Sequence, residues 1–225
     1  MIKLINENII ILCKETMKYD KMKLKNKTFM EEEMKKIIVN TDLRKVIYND
    51  KNKTYTKIIK CKLKKRIKFF LKIRRYPGEN IKYISELFKK NGIKTLEVLE
   101  YSKYRVVTKE ITGKTFLEEL ISNYNSYESK ILIDEYIKLI TKIINLGVYF
   151  GDFNFGNFIV HNKELYAIDL EDYRKDFFSK FRRKSLLKRL KRELISNEKL
   201  LKKVDKNLKA EEIYLEIEEK LKNMV

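Results

Sequence analysis

Phe150-Gly151-Asp152-Phe153-Asn154-Phe155-Gly156-Asn157-Phe158-Ile159-Val160, followed at 167–171 by Ala-Ile-Asp-Leu-Glu, is the stretch on which the reading of this chain turns. An acid, Asp152, stands five residues before an amide, Asn157, on a loop holding two glycines. The loop enters a short apolar strand, Phe158–Val160. A turn at His161-Asn162-Lys163-Glu164 then leads to a second strand, Leu165–Ile168, which ends on Asp169. This hairpin brings Asn157 and Asp169 to the same end of two adjacent strands. The layout is that of phosphoryl transfer: one carboxylate orients or deprotonates the attacking hydroxyl, while a carboxamide and a second carboxylate hold the Mg²⁺ that neutralises ATP. The competing reading is an ordinary loop and hairpin, because an Asp and an Asn five residues apart are common. The glycines, the Phe-Ile-Val strand, the turn and the terminal Ile-Asp together favour the kinase-type site.

The composition sets the frame around that stretch. With 225 residues, 44% of them hydrophobic, the chain can bury a core as one domain or two small lobes. No run approaches the roughly 18 apolar residues of a membrane span, and Ile9–Leu12 is too short to serve as one. The start lacks the features of a signal peptide, so a cytoplasmic chain is expected. Cys13 and Cys61 match no disulfide, metal or redox spacing. The single histidine, His161, excludes zinc sites built on several histidines and reads as a solvated turn residue. A net charge of +20 suits a polyanionic partner: nucleic acid, anionic lipid or a phosphorylated substrate. Lys, Ile and Asn are abundant throughout, as an AT-biased coding sequence would give, so the charge alone does not identify the partner.

Residues 1–27 form a lysine-rich lead-in with no assignable chemistry. Thr28-Phe29-Met30-Glu31 reads as a capping box that opens a short helix over Glu31–Val39. Leu43–Tyr48 and Thr54–Lys62 flank the polar turn Asn49–Lys53 and predict a hairpin. Its second strand offers a lysine for the α/β-phosphates, Lys60 in preference to Lys57. The chain's one proline lies in Arg75-Tyr76-Pro77-Gly78-Glu79-Asn80, after which Ile81, Ile84, Leu87 and Phe88 keep helical spacing up to Gly92. Glu79, at the start of that helix, either complements the helix dipole or pairs with the strand lysine. Thr95–Glu100 and Tyr104–Ile111 complete a small antiparallel sheet. Lys109, Glu110 and Ile111, with Thr112-Gly113, then stand where an interlobe hinge would meet adenine. Helices are predicted at about Thr115–Asn123 and Ser129–Leu146. From Arg174 to Lys203 the chain is helical and strongly basic. It reads as a helix packed on the larger lobe, as a surface facing anionic lipid or a phosphorylated glycolipid, or as both at once. Ala210–Leu221 reads as a packing helix.

The order Lys60, Glu79, hinge, Asp152, Asn157, Asp169 resembles the protein-kinase-like superfamily. Over roughly residues 28–195 the chain is similar to the bacterial lipopolysaccharide core heptose kinases, especially the heptose(II) kinase type. The shared features are Gly151-Asp152, Gly156-Asn157-Phe158-Ile159-Val160, Ile168-Asp169-Leu170, Glu79-Asn80-Ile81 and the basic C-terminal tail. The resemblance implies an α+β, two-lobed fold, with an antiparallel-sheet N-lobe at 28–112 and a mainly helical C-lobe at 113–225. It makes Asp152 the catalytic base, Asn157 and Asp169 the Mg²⁺ ligands, and Lys60, held by Glu79, the ATP-phosphate lysine. The implied reaction is ATP-dependent phosphorylation of a heptose hydroxyl of the lipopolysaccharide core, at the anionic cytoplasmic face of the inner membrane. No nucleic acid or obligate protein partner is expected. Three departures stand out. Asn49–Lys53 carries no glycine, which leaves Lys51 or Lys53 to cover the phosphates. Asn154 stands where these families often have histidine. Glu171 replaces the glycine of Asp-Phe-Gly, which argues against a protein kinase with an activation loop. Choline and aminoglycoside kinases share the motif, so a Kdo, aminoalcohol or aminoglycoside acceptor stays open. A non-catalytic kinase-like module and a basic nucleic-acid binder are the rivals from other classes.

Overall fold

The structure is a computed structural model that describes residues 35–123, 127–176 and 179–223. The N-terminal lead-in and the capping box at 28–31 lie outside the described residues. Strands β1 (Lys35–Asn40), β2 (Arg44–Asn49), β3 (Thr54–Ile59), β4 (Val98–Tyr101) and β5 (Arg105–Lys109) form one antiparallel sheet in the order β1-β2-β3-β5-β4. The helix expected over Glu31–Val39 is therefore corrected, because its described part is strand. Ile37, Ile38 and Val39 are three consecutive β-branched residues, which lose rotamer freedom in a helix and suit a pleated strand. Lys36 pairs with Tyr48, and Val39 with Val46. The β2–β3 hairpin forms as expected, although its second strand stops at Ile59.

Two helices follow β3 before the sheet resumes. Helix α1 (Leu63–Phe70) was not announced by any apolar periodicity, since lysines and arginines interrupt it. Helix α2 (Pro77–Lys90) starts on its proline, which has no N–H to leave unpaired in a first turn. Gly78 lets that turn press against the β4–β5 hairpin: its amide donates to the Lys103 carbonyl at 3.1 Å. A Cβ there would lie 2.0 Å from the Ser102 carbonyl oxygen.

The second lobe carries a three-stranded sheet, β6 (Lys114–Thr115), β7 (Phe158–His161) and β8 (Glu164–Ala167), together with five helices. These are α3 (Phe116–Ser122), α4 (Tyr127–Asn145), α5 (Arg183–Ser196), α6 (Glu198–Val204) and α7 (Ala210–Asn223). Thr115 caps α3 reciprocally with Glu118: the Thr115 amide donates to the Glu118 carboxylate at 2.8 Å, and the Glu118 amide to the Thr115 hydroxyl at 3.2 Å. Helix α4 buries Leu132, Tyr136, Ile140 and Ile143 along one face. Helix α5 buries Leu186, Leu190 and Leu194, so the apolar stripe of the basic tail is used inside the lobe. Several of its cations are also used there: Arg183 donates to the Leu221 carbonyl at 3.4 Å, and Lys191 pairs with Glu211 at 2.7 Å. Among the described residues no helix is long and apolar enough to cross a membrane.

A small antiparallel-sheet lobe joined to a mainly helical lobe is the two-lobed α+β arrangement of kinase-like folds. The chain passes between the lobes at Glu110–Gly113. A second tie runs from the end of α2 to β8, where the Thr95 hydroxyl and the Ala167 amide donate to the Ala167 and Lys94 carbonyls at 2.7 and 3.1 Å. At the crossing, Gly113 has φ 148°, and a Cβ would lie 2.1 Å from the Val160 carbonyl oxygen. Gly113→Ala is expected to destabilise the protein by about 2–4 kcal/mol, through strain and backbone overlap together. Urea unfolding followed by circular dichroism tests this; an unchanged midpoint would contradict the close approach of β6 to β7.

Candidate active site

The Phe150–Val160 loop is positioned by its own phenylalanines. Phe150, Phe153, Phe155 and Phe158 are all buried, whereas Asp152 and Asn154 between them are exposed and Asn157 is half-buried. Phe155 and Phe158 pack around Tyr136, with ring centroids at 5.1 and 5.4 Å, and Phe150 stacks on Tyr173 at 4.6 Å. Burying rings at alternating places leaves the polar residues facing outward. Side chains then fix the backbone: the Asn154 amide donates to Asp152 Oδ1 at 3.1 Å, and the Gly156 amide to Asn154 Oδ1 at 2.8 Å. Asn154 thus caps the short 3-10 turn Phe155–Asn157. Arg189 of α5 donates to the Gly151 carbonyl at 3.4 Å.

Asn157 and Asp169 share one end of the β7–β8 hairpin. The Ile168 amide donates to the Asn157 carbonyl at 3.0 Å, beyond the Phe158–Ala167 pair. Asp169 sits in the left-handed region at φ 55°, ψ 46°, and opens the short turn Leu170–Asp172. Its carboxylate is bonded by Lys57 from β3 in the other lobe. Lys57 also lies 2.9 Å from Glu171 Oε2, an atom that is buried without an aligned hydrogen bond, so that contact is Coulombic. Arg44 of β2 stands 3.8 Å from both carboxylates.

The lysine that reaches Asp169 is therefore Lys57 and not Lys60. Strand side chains alternate faces, and residues three apart point opposite ways. Lys57 pairs with Val106, whose side chain is in the core, so the lysine faces the lower lobe. Lys60 lies past the strand end and is exposed. Glu79, half-buried in the first turn of α2, makes no ion pair with a described residue, and Lys57 pairs with Glu171 instead. It is the neighbouring Asn80 that α2 buries, with its amide donating to the Tyr173 carbonyl at 2.8 Å.

At the hinge, the Glu110 amide donates to the Lys53 carbonyl at 2.8 Å, and Tyr48 donates to the Glu110 carboxylate at 3.0 Å. Lys109 is exposed, and neither backbone group of Ile111 bonds a described backbone group. Lys51 and Lys53 consequently sit at the hinge end of β3. Thr41-Asp42-Leu43, between β1 and β2, overhangs the other end, roughly 17 Å away by strand rise. Lys51 and Lys53, expected to cover the nucleotide phosphates, therefore lie at the hinge end of the sheet.

Sequence reasoning missed three residues here: Glu171 as the partner of Lys57, Arg44, and Tyr173. The Tyr173 hydroxyl is buried and has no hydrogen-bond partner among the described residues. Burial first, then the charges of Asp169 and Asp152, push its phenol up from the ordinary value, so both carboxylates bear on one hydroxyl. Tyr149 and Arg174 exchange two backbone hydrogen bonds of 2.7 Å, tying the approach to Asp152 to the exit from Glu171. Beside this cluster lies a cavity of about 1390 Å³ whose walls include Thr41, Arg44, Arg74, Glu171 and Arg174, but neither Asp152 nor Asn157. One carboxylate and one carboxamide, Asp169 and Asn157, fit Mg²⁺, which takes few protein ligands and completes its shell with water and phosphate oxygens.

No family model matches the chain, and no curated protein does. Among solved structures there is likeness to Rv3197 of Mycobacterium tuberculosis in complex with erythromycin, at 11% identity and a TM-score of 0.44. The match covers 62% of this chain and 45% of that one, and at that level it decides neither chemistry nor substrate.

Tyr136 is raised in the same direction as Tyr173, chiefly by burial. Below the unfolded value near 10 both phenols are protonated in either state and stability is unaffected. Above it only the unfolded chain deprotonates, so stability should fall by about 1.4 kcal/mol per pH unit for each tyrosine. Tyr173→Phe removes an unpaired hydroxyl. It is expected to leave stability at neutral pH equal or higher and to shallow the alkaline slope, as measured by urea unfolding between neutral and alkaline pH.

Proposed function

We propose that this chain is an ATP-dependent kinase that phosphorylates a heptose hydroxyl of the lipopolysaccharide inner core. The observation that carries phosphoryl transfer is the Lys57–Asp169 pair joining the two lobes, beside a loop that presents Asp152 and Asn157. Asp152, steadied by the Asn154 amide, would orient the acceptor hydroxyl and take its proton. Lys57 would turn from its carboxylates to the ATP phosphates, with Glu171 and Arg44 limiting how far it moves. Asn157 and Asp169 would hold Mg²⁺, which neutralises charge on the phosphates. The backbone of Ile111 would meet adenine. The acceptor rests on the likeness to heptose(II) kinases, and the net charge of +20 suits a polyanionic glycolipid at an anionic membrane face.

The test is Mg²⁺-dependent transfer of labelled γ-phosphate from ATP to purified heptose-containing lipopolysaccharide. Asp152→Ala should lower kcat by about 10²–10⁴-fold, the range of a positioned general base. Lys57→Met should abolish tight ATP use, while Lys60→Met and Glu79→Gln stay within a few-fold of wild type. Labelling of an aminoglycoside or aminoalcohol in place of lipopolysaccharide would replace the acceptor. Failure of wild type to bind Mg-ATP would overturn the kinase reading.

A further inference from the structure

From Lys60 to Arg75 the sequence carries nine Lys/Arg residues and no acid in sixteen positions. The structure arranges the end of this stretch unusually. Phe69 is buried against Tyr76 and Tyr104, at 5.4 and 6.5 Å, which pins the end of α1 to the first lobe. The next residues turn the other way: Phe70, Leu71 and Ile73 are 80%, 58% and 60% exposed. They are held out by a closed turn, in which Lys72 at φ 54° donates its amide to the Phe69 carbonyl at 3.0 Å and Arg74 donates to the Lys68 carbonyl at 3.2 Å. Single exposed apolar residues are ordinary, but three large ones within four positions, flanked in sequence by Lys68, Lys72 and Arg74, mark a contact surface.

The chemistry of these cations selects the partner. Lysine and arginine with long apolar stems, beside protruding Phe, Leu and Ile, match a bilayer interface: the apolar tips enter the acyl boundary and the cations meet anionic head groups. Leu71 and Ile73 cannot stack on bases, which disfavours single-stranded nucleic acid. Lys60, Lys62, Lys72, Arg74 and Arg75 also line the cavity beside Glu171, so the same surface would face that cavity toward the lipid. Arg174 on the opposite wall is held below its ordinary value by burial and then by Arg74, which is consistent with crowded cations awaiting an anion.

We propose that the end of this stretch, Lys68–Arg75, docks the protein on an anionic lipid surface, with Phe70, Leu71 and Ile73 as the inserting residues. This goes beyond the kinase reading and does not need it. The test is sedimentation of the full chain with vesicles of phosphatidylcholine alone or mixed with phosphatidylglycerol, with neither nucleotide nor acceptor present. Wild type should bind the mixed vesicles and not the neutral ones. Phe70→Ser/Leu71→Ser/Ile73→Ser should weaken binding by about tenfold or more, with an unchanged thermal melt because these side chains are exposed. A Lys72→Gln/Arg74→Gln variant should lose salt-sensitive binding in parallel. The proposal is overturned if wild type ignores the mixed vesicles, if the triple-serine variant binds them as wild type does, or if wild type binds polyuridylate but no vesicle. None of these outcomes would touch ATP binding, so the two readings fail separately.

Discussion

The charge contact between Lys57 and Asp169 is the point on which the two lobes agree. Lys57 stands in β3 of the first lobe, and Asp169 lies just beyond β8 of the second. The lysine is aimed by the alternation of β3, whose inner face is fixed by Val106 in the core. The aspartate is aimed by a left-handed backbone that ordinary residues adopt only when the surroundings hold them there. Losing Lys57 would leave Asp169 and Glu171 facing only the more distant Arg44. Such a half-broken cluster costs more than the intact pair contributes, because the charges left behind remain poorly solvated.

The loop opposite is rigid for a different reason. Four buried rings act as pegs, and the polar residues stand at the intervals between them. Two of its backbone amides are held by the loop's own Asp152 and Asn154 side chains, so part of its shape is written in these eleven consecutive residues. This explains why the loop, the following hairpin and the shared end of Asn157 and Asp169 were legible from sequence. The helices capped by Thr115, opened by Pro77 or striped like α4 were legible too, because their signals are local.

What could not be read required knowledge of the other lobe. Choosing between Lys57 and Lys60 needs the face of β3 that meets the core, and in a lysine-rich strand periodicity does not supply it. Glu171 as the acid beside the lysine depends on the turn that follows Asp169, which no local signal announces. The strand at Lys35–Asn40 was mistaken because a capping pattern upstream outweighed three β-branched residues. That Asn49–Lys53 falls at the hinge end of β3 and Thr41–Leu43 at the other end also depends on the sheet order, which no local pattern carries.

The Tyr149–Arg174 bridge has a wider consequence. In protein kinases switched by an activation loop, the segment beyond the Mg²⁺-holding aspartate is ordered or released as a unit. Here it is fastened again five residues after Asp169, to Tyr149, three residues before Asp152. Movement of one acid drags the other, so the two would tend to stay in register or be lost together. If the chain is the kinase proposed above, the bridge leaves little free length beyond Asp169 for such a switch. The kinase's output would then follow how much protein the cell makes and how much acceptor arrives, which suits a housekeeping step better than a signalling one.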